Sequence, residues 1–194
     1  MKKTVFILPK ADVVLFENFF TKKESDEFFV SLARDIKWQQ DEIRMFGKKM
    51  PIPRLNAWYG DAGKVYTYSG IEMQPNPWND AIMIIKKRLD RASGKVFNGC
   101  LLNYYRTGQD SMGWHQDNEP ELGPNPIIAS VSLGDQRVFQ LRPKPNLGVK
   151  KTDIPLSNGS FLLMKGGTQH HWEHQIPKTA KEVGPRINLT FRII

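Results

Sequence analysis

The sequence predicts an α+β, β-rich fold: a sandwich or jelly roll with helices packed against one sheet. Three observations carry this reading. From Lys95 onward, short segments rich in β-branched and aromatic residues alternate with Gly, Pro and Asn, at 96 to 107, 127 to 134, 137 to 143, 160 to 164, 170 to 176 and 186 to 194. Two amphipathic helical stripes precede them, so the first third reads as helical and mixed. The length of 194 residues, 40% of them hydrophobic, suits one domain with a sizeable core.

The apolar start Val5-Phe6-Ile7-Leu8 is cut short by Pro9, Lys10 and Asp12, too early for a signal peptide, and no run approaches the length of a bilayer span. Thr21-Lys22-Lys23-Glu24 has the spacing of a capping box, after which Phe28, Phe29, Leu32, Ala33 and Ile36 share one helical face. A second helix is expected from Asn76-Pro77, with Pro at the first helical position. Trp78, Ile82, Ile85 and Leu89 form its stripe, and Ser93-Gly94 its end. Cys100, the one cysteine, lies in the apolar stretch from Val96 to Leu102 and reads as a buried strand thiol; disulfides within the chain and thiolate metal clusters are excluded. The formal charge of +8, from 28 basic and 20 acidic residues, favours contact with a polyanion, although a solvated surface accounts for it nearly as well.

The chemistry concentrates in the strand-rich half. His115 and Asp117, two apart on an extended segment, can offer an imidazole nitrogen and a carboxylate oxygen to one ion while Gln116 points elsewhere. His174 can supply a third ligand from a neighbouring strand, with His170 and His171 as rivals. Two imidazoles and one carboxylate on one face of an octahedral metal leave sites open for a bidentate 2-oxoacid and dioxygen; zinc-dependent hydrolysis is the competing use. Arg186, Asn188, Thr190 and Arg192 recur at period two, opposite Ile187, Leu189, Phe191 and Ile193. Two guanidiniums, an amide and a hydroxyl on one surface suit a small dicarboxylate, the alternative being an outward polar face. Asn103 and Tyr105 form a second same-face pair.

Asn103-x-Tyr105, His115-x-Asp117, His174 and Arg186-x-Asn188-Leu-Thr-Phe-Arg192, in this order and spacing, resemble the AlkB family of iron(II)- and 2-oxoglutarate-dependent dioxygenases. The resemblance runs from about Phe16 to the C-terminus. It includes the stretches 53 to 63 and 66 to 70, which are similar to the nucleotide-recognition lid of the DNA-repair branch. It implies a double-stranded β-helix, with residues of about 16–94 supplying helices and lid and about 95–194 the jelly-roll catalytic core. Iron(II) would be held by His115, Asp117 and His174. The cosubstrate 2-oxoglutarate would be held by Asn103, Tyr105, Arg186, Asn188 and Arg192, with Arg186 and Tyr105 on its distal carboxylate and Arg192 beside the metal. Dioxygen is the second cosubstrate.

The implied activity is oxidative demethylation of 1-methyladenine and 3-methylcytosine in DNA, with release of formaldehyde, succinate and carbon dioxide. Such lesions must be flipped or single-stranded to be reached. The resemblance puts Tyr68 on the flipped base, Tyr66 on its phosphate and Glu119 on its exocyclic amine, although the branch often has Asp where Asn118 stands. Phe46 would wedge into a duplex, with Lys48, Lys49 and Arg54 on phosphates. Lys144, Lys150, Lys151, Lys178 and Lys181 could extend that footprint. A monomer in the cytoplasm, at the nucleoid of a bacterium or in the nucleus of a eukaryote, is expected, without a membrane partner. Alternatives are an oxygenase of the same type acting on RNA, protein or lipid, and a non-catalytic nucleic-acid-binding module.

Overall fold

The computed structural model describes residues 1–45, 48–68 and 71–194, with Arg44, Met45, Lys48, Tyr68, Ile71 and Asn146 described in the backbone alone. Its first strands, β1 (Lys2–Phe6) and β2 (Asp12–Glu17), pair antiparallel and lead into α1 (Lys22–Asp35). Two small ribbons, β3 (Glu42–Met45) with β4 (Lys48–Pro51) and β6 (Tyr66–Tyr68) with β7 (Ile71–Met73), flank β5 (Leu55–Gly60). After α2 (Asp80–Ser93) come β8 (Gly99–Tyr105), β9 (Met112–His115), β10 (Ile128–Gly134), β11 (Arg137–Pro143), β12 (Thr152–Leu156) and β13 (Ser160–Lys165). A helical turn, α3 (Thr168–His171), precedes β14 (Trp172–Ile176) and β15 (Arg186–Arg192).

The strands assemble into a seven-stranded sheet, β1-β2-β13-β10-β15-β8-β5, and a four-stranded sheet, β12-β11-β14-β9, with every pairing between neighbours antiparallel. Apart from β1-β2 and β11-β12, neighbours in both sheets are non-consecutive in sequence, which gives the crossed connectivity of the jelly roll. Period-two alternation then splits the core in two. Cys100, Val131, Leu189 and Phe191 look to the helices, where Leu32 of α1 and Ile82, Ile85 and Leu89 of α2 meet them at 0% exposure. Leu101, Ile128, Leu141, Ile154, Leu162 and Trp172 fill the space on the other side of the large sheet. Each such aliphatic side chain contributes about 1.5–3 kcal/mol on burial.

The first helix starts as its sequence requires. Thr21 caps it, its hydroxyl accepting from the Glu24 amide while the Glu24 carboxylate accepts from the Thr21 amide. The second starts later than Asn76-Pro77: Asn79 is the cap, its side chain accepting from the amides of Ala81 and Ile82. A side-chain acceptor for free amides outweighs the preset φ of Pro77, because it satisfies donors that would otherwise face solvent alone. Gly94 closes this helix in the left-handed conformation, φ 67°. The first third is richer in strand than expected, holding β1 to β7. Among the described residues no helix is long and apolar enough to cross a membrane.

Candidate metal centre and cosubstrate cleft

His115 ends β9 and His174 lies opposite it on β14. Pairing between these strands slips between His174 and Ile176, which face His115 and Met112 respectively, so Gly113 and Trp114 together span a single partner residue. This bulge is what turns both Met112 and His115 into the cleft, a result that strict alternation forbids. Asp117 lies just beyond the strand rather than on it, and is fixed differently: its amide donates to the Gln169 side-chain oxygen at 3.0 Å. His170 and His171 belong to α3, so neither shares a strand face with His174.

One ligand atom from each of His115, Asp117 and His174 lies within 4.8 Å of the other two, close enough to serve a single ion. Their protonation suits that use. Burial pushes His174 down to about 3 and lowers His115 as well, so both imidazoles are neutral near pH 7. Burial alone would raise the Asp117 carboxyl, but the Arg192 guanidinium and the two imidazoles outweigh it and hold the group at about 2. Two neutral imidazoles and a carboxylate form a donor set that fits octahedral iron(II) with open positions.

All eight residues expected to hold the metal and the dicarboxylate line this one cleft. Asn103 and Tyr105 come from β8, with Arg186, Asn188 and Arg192 from the adjacent β15. Arg192 Nη2 lies 3.0 Å from Asp117 Oδ1 in a pair 2% exposed on each side. Arg186 donates to Ser132 Oγ at 2.9 Å, but its Nε and Nη1 are buried without a partner among the described residues. Burial lowers its guanidinium to about 10. Asn188 is already engaged, donating to Ser130 Oγ and Val131 O and accepting from Thr190. The Tyr105 hydroxyl interacts with the Arg186 guanidinium and donates to the weak acceptor Met112 Sδ at 3.8 Å, so its proton can turn to a better acceptor.

The expected substrate contacts fare less evenly. Tyr66 is 0% exposed and stacks on Trp58 at 4.7 Å, with the Arg192 guanidinium 5.1 Å from its ring. It is buried beside Arg192 and presents no surface to a phosphate in this structure. Arg54 is 5% exposed and donates from Nε to Asn103 Oδ1 at 2.8 Å, so it orients that amide instead of meeting nucleic acid. Both misplacements share a cause: polar chemistry in the sequence does not reveal which layer covers it. Glu119 is half-buried on the loop after Asp117, and burial together with the Asp117 charge raises its pKa. Lys49 is exposed, 3.9 Å from Glu42. Phe46 and the side chains of Lys48 and Tyr68 lie outside the described residues. Sequence reasoning missed Gln169, Ser130 and Ser132; the serines' period-two spacing on β10 was the available signal.

A cleft of this composition between jelly-roll sheets defines a metal-dependent oxygenase, and residues 12–192 match the family model of the 2OG-Fe(II) oxygenase superfamily. The chain is 42% identical over 190 residues to alpha-ketoglutarate-dependent dioxygenase alkB homolog 3 of Bos taurus and 41% identical to the Homo sapiens protein of that name, with 94% of this chain covered in each case. It is 40% identical over 184 residues to DNA oxidative demethylase ALKBH2 of Homo sapiens, covering 90% of this chain and 70% of that protein. The chain spans 66% of the length of the alkB homolog 3 proteins, just under two thirds. The solved structure "The structure of OsALKBH1" superposes with a TM-score of 0.66 over 97% of this chain and 99% of its own, at 18% identity, and so shares the fold. The chain belongs to the AlkB family of the 2OG-Fe(II) oxygenases. Iron(II), 2-oxoglutarate and dioxygen are the cofactors of that superfamily, and the donor set fits them.

Proposed function

We propose that this chain is an oxidative demethylase of N-alkylated bases, 1-methyladenine and 3-methylcytosine among them, in DNA. The observation that carries the proposal is one cleft holding both a His-Asp-His donor set and an arginine with two buried N–H groups unpartnered, in a chain about 40% identical to proteins named for this chemistry. Residues 12–192 would act as one catalytic unit.

In this reading His115, Asp117 and His174 hold iron(II), which with 2-oxoglutarate and dioxygen supplies the oxidising power, succinate and carbon dioxide leaving as coproducts. Arg186 Nε and Nη1 and the Tyr105 hydroxyl take the distal carboxylate in a charge-assisted pair. Asn103, turned by Arg54, and Arg192 orient the other end. Asn188 and Thr190 brace Ser130 and the strand beneath. The His115 side chain, 20% exposed against 2% for Asp117, marks the side from which a base would enter. Such a base must leave its stack, and methylation of a Watson–Crick nitrogen lowers the cost of doing so. Glu119, on the loop after Asp117, can accept from the exocyclic amine of the base. Hydroxylation of the N-methyl group gives a hemiaminal that loses formaldehyde and restores the base. The chain's contribution is orientation and exclusion of water.

The net charge of +8 and the exposed Lys49 support a nucleic-acid substrate. A monomer acting where DNA is kept, at a nucleoid or in a nucleus, completes the reading. The test is anaerobic loading with iron(II) and 2-oxoglutarate, then aerobic incubation with oligonucleotides carrying either lesion, single-stranded and paired, weighed by mass spectrometry. Loss of one methyl group is expected. Decarboxylation of 2-oxoglutarate with the methyl group retained would keep the oxygenase and overturn the substrate, and RNA carrying the same lesions would be the next to try.

A further inference from the structure

Arg137, the first residue of β11, is 3% exposed, and its guanidinium is committed to backbone carbonyls. Nη1 donates to Thr107 O at 3.2 Å, and Nη2 donates to Asp110 O at 3.0 Å and Pro177 O at 2.6 Å. The acid in its surroundings, Asp110, is held by Arg106 through two bonds of 2.7 and 2.9 Å. Among the described residues no carboxylate lies within ion-pair distance of Arg137 or of Arg186. Yet the two guanidiniums share one aromatic ring: Cζ of Arg137 is 5.8 Å, and Cζ of Arg186 5.2 Å, from the centre of Tyr105.

A pair of buried cations with no carboxylate in ion-pair contact among the described residues, and with Asp110 shared with Arg106, is costly to keep. The strain shows on Arg186, whose pKa is lowered by burial and further by the charge of Arg137. An anion arriving at the free Nε and Nη1 of Arg186 would relieve both charges at once, and in a low-dielectric cleft it would feel the more distant one strongly. Arg137 also ties the β8–β9 turn, through Thr107 and Asp110, to the segment after β14, through Pro177. These segments adjoin Tyr105, Met112 and Ile176, which line the cleft.

We propose that Arg137 is a positioning residue for the distal carboxylate of 2-oxoglutarate: acting through Tyr105 and Arg186, its buried charge makes this end of the cleft select a 2-oxoacid with a second carboxylate over one without. The inference rests on reading Arg186 as the anchor of that carboxylate. It separates charge from bracing, because a brace alone would serve both kinds of 2-oxoacid equally.

The test is calorimetric binding to the full chain loaded with Mn(II), using 2-oxoglutarate and 2-oxopentanoate, which has the same carbon skeleton without the distal carboxylate. Arg137→Met should weaken 2-oxoglutarate by about tenfold or more while leaving 2-oxopentanoate and Mn(II) within about twofold. Arg137→Lys, which keeps the charge and gives up the fork, should retain most of the preference for the dicarboxylate. Equal loss for both ligands, or no loss, overturns the inference. So does an Arg137→Lys variant that no longer prefers the dicarboxylate, which decides the matter alone if Arg137→Met does not fold. Arg186→Met distinguishes the two failures. If it abolishes the preference and Arg137→Met does not, only the role of Arg137 is lost; if the preference survives Arg186→Met, the anchor reading falls, and the role of Arg137 with it.

Discussion

Arg186 and Arg192 stand at opposite ends of β15, on the same face, each 1% exposed, and they do opposite things with their charge. Arg192 is neutralised within the chain: Asp117 lies 3.0 Å away, and although burial would lower its pKa, the Asp117 charge raises it. Arg186 has a serine hydroxyl, a tyrosine ring and two N–H groups without a partner among the described residues. The first arginine is tied to Asp117 of the proposed metal site, and the second keeps N–H groups open for the proposed ligand. Identical residues on one strand face thus acquire different surroundings from what the rest of the chain puts opposite them.

The harshest way to break this contrast is Asp117→Ala. It removes a proposed metal ligand and strands Arg192, so Mn(II) binding should fall below detection by calorimetry. Urea unfolding of the metal-free chain should also show a loss of about 3–5 kcal/mol, the cost of leaving one partner of a buried pair. Wild-type metal affinity in this variant would remove Asp117 from the donor set. A pair of matched variants sharpens the contrast further. In the ligand-free chain Arg192→Met should destabilise, because it leaves Asp117 unpaired. Arg186→Met should be neutral or stabilising, because it removes a charge that has no partner. The order reverses with ligand: at 100 times its Kd, 2-oxoglutarate should stabilise the Mn(II)-loaded wild type by about 2.7 kcal/mol and the Arg186→Met chain by much less. Equal destabilisation by the two variants without ligand would mean that Arg186 has a counter-charge after all.

How far the sequence could foresee this depends on the range of each interaction. The capping box at Thr21 and Glu24 and the alternation of β15 are local patterns, and both are found where their spacing puts them. The residue types of the proposed metal ligands are legible, but the bulge that aims His115 is not, since Gly113 and Trp114 carry no mark of it. The α2 start was missed because two signals, Pro77 and Asn79, competed within three residues, and only hydrogen bonding chooses between them. Gln169 reaches Asp117 across 52 positions of sequence, and Arg137 reaches Pro177 across 40, so no window contains either pair. The resemblance puts Tyr66 and Arg54 on phosphates, whereas in the structure Tyr66 stacks on Trp58 and Arg54 donates to Asn103, each partner belonging to another strand.

The smallest expected effect lies far from the cleft, in the α1 cap, and it checks that the arginine contrast is a property of the site. The Glu24 carboxyl is lowered from 4.5, first by the Thr21 amide, then by its hydroxyl and by Arg88. A folded value below the unfolded one means that the unfolded chain takes up the proton first. The contribution is therefore complete above about pH 4.5 and drains away as pH falls through the folded value, and exposure keeps it small. Thr21→Ala should cost about 1 kcal/mol at neutral pH and flatten that acid decline. The stabilisation by 2-oxoglutarate should be unchanged in this variant, since the cap touches neither arginine. If Thr21→Ala weakened the ligand response as Arg186→Met does, that response would report global stability, and the difference between the two ends of β15 would need another measure.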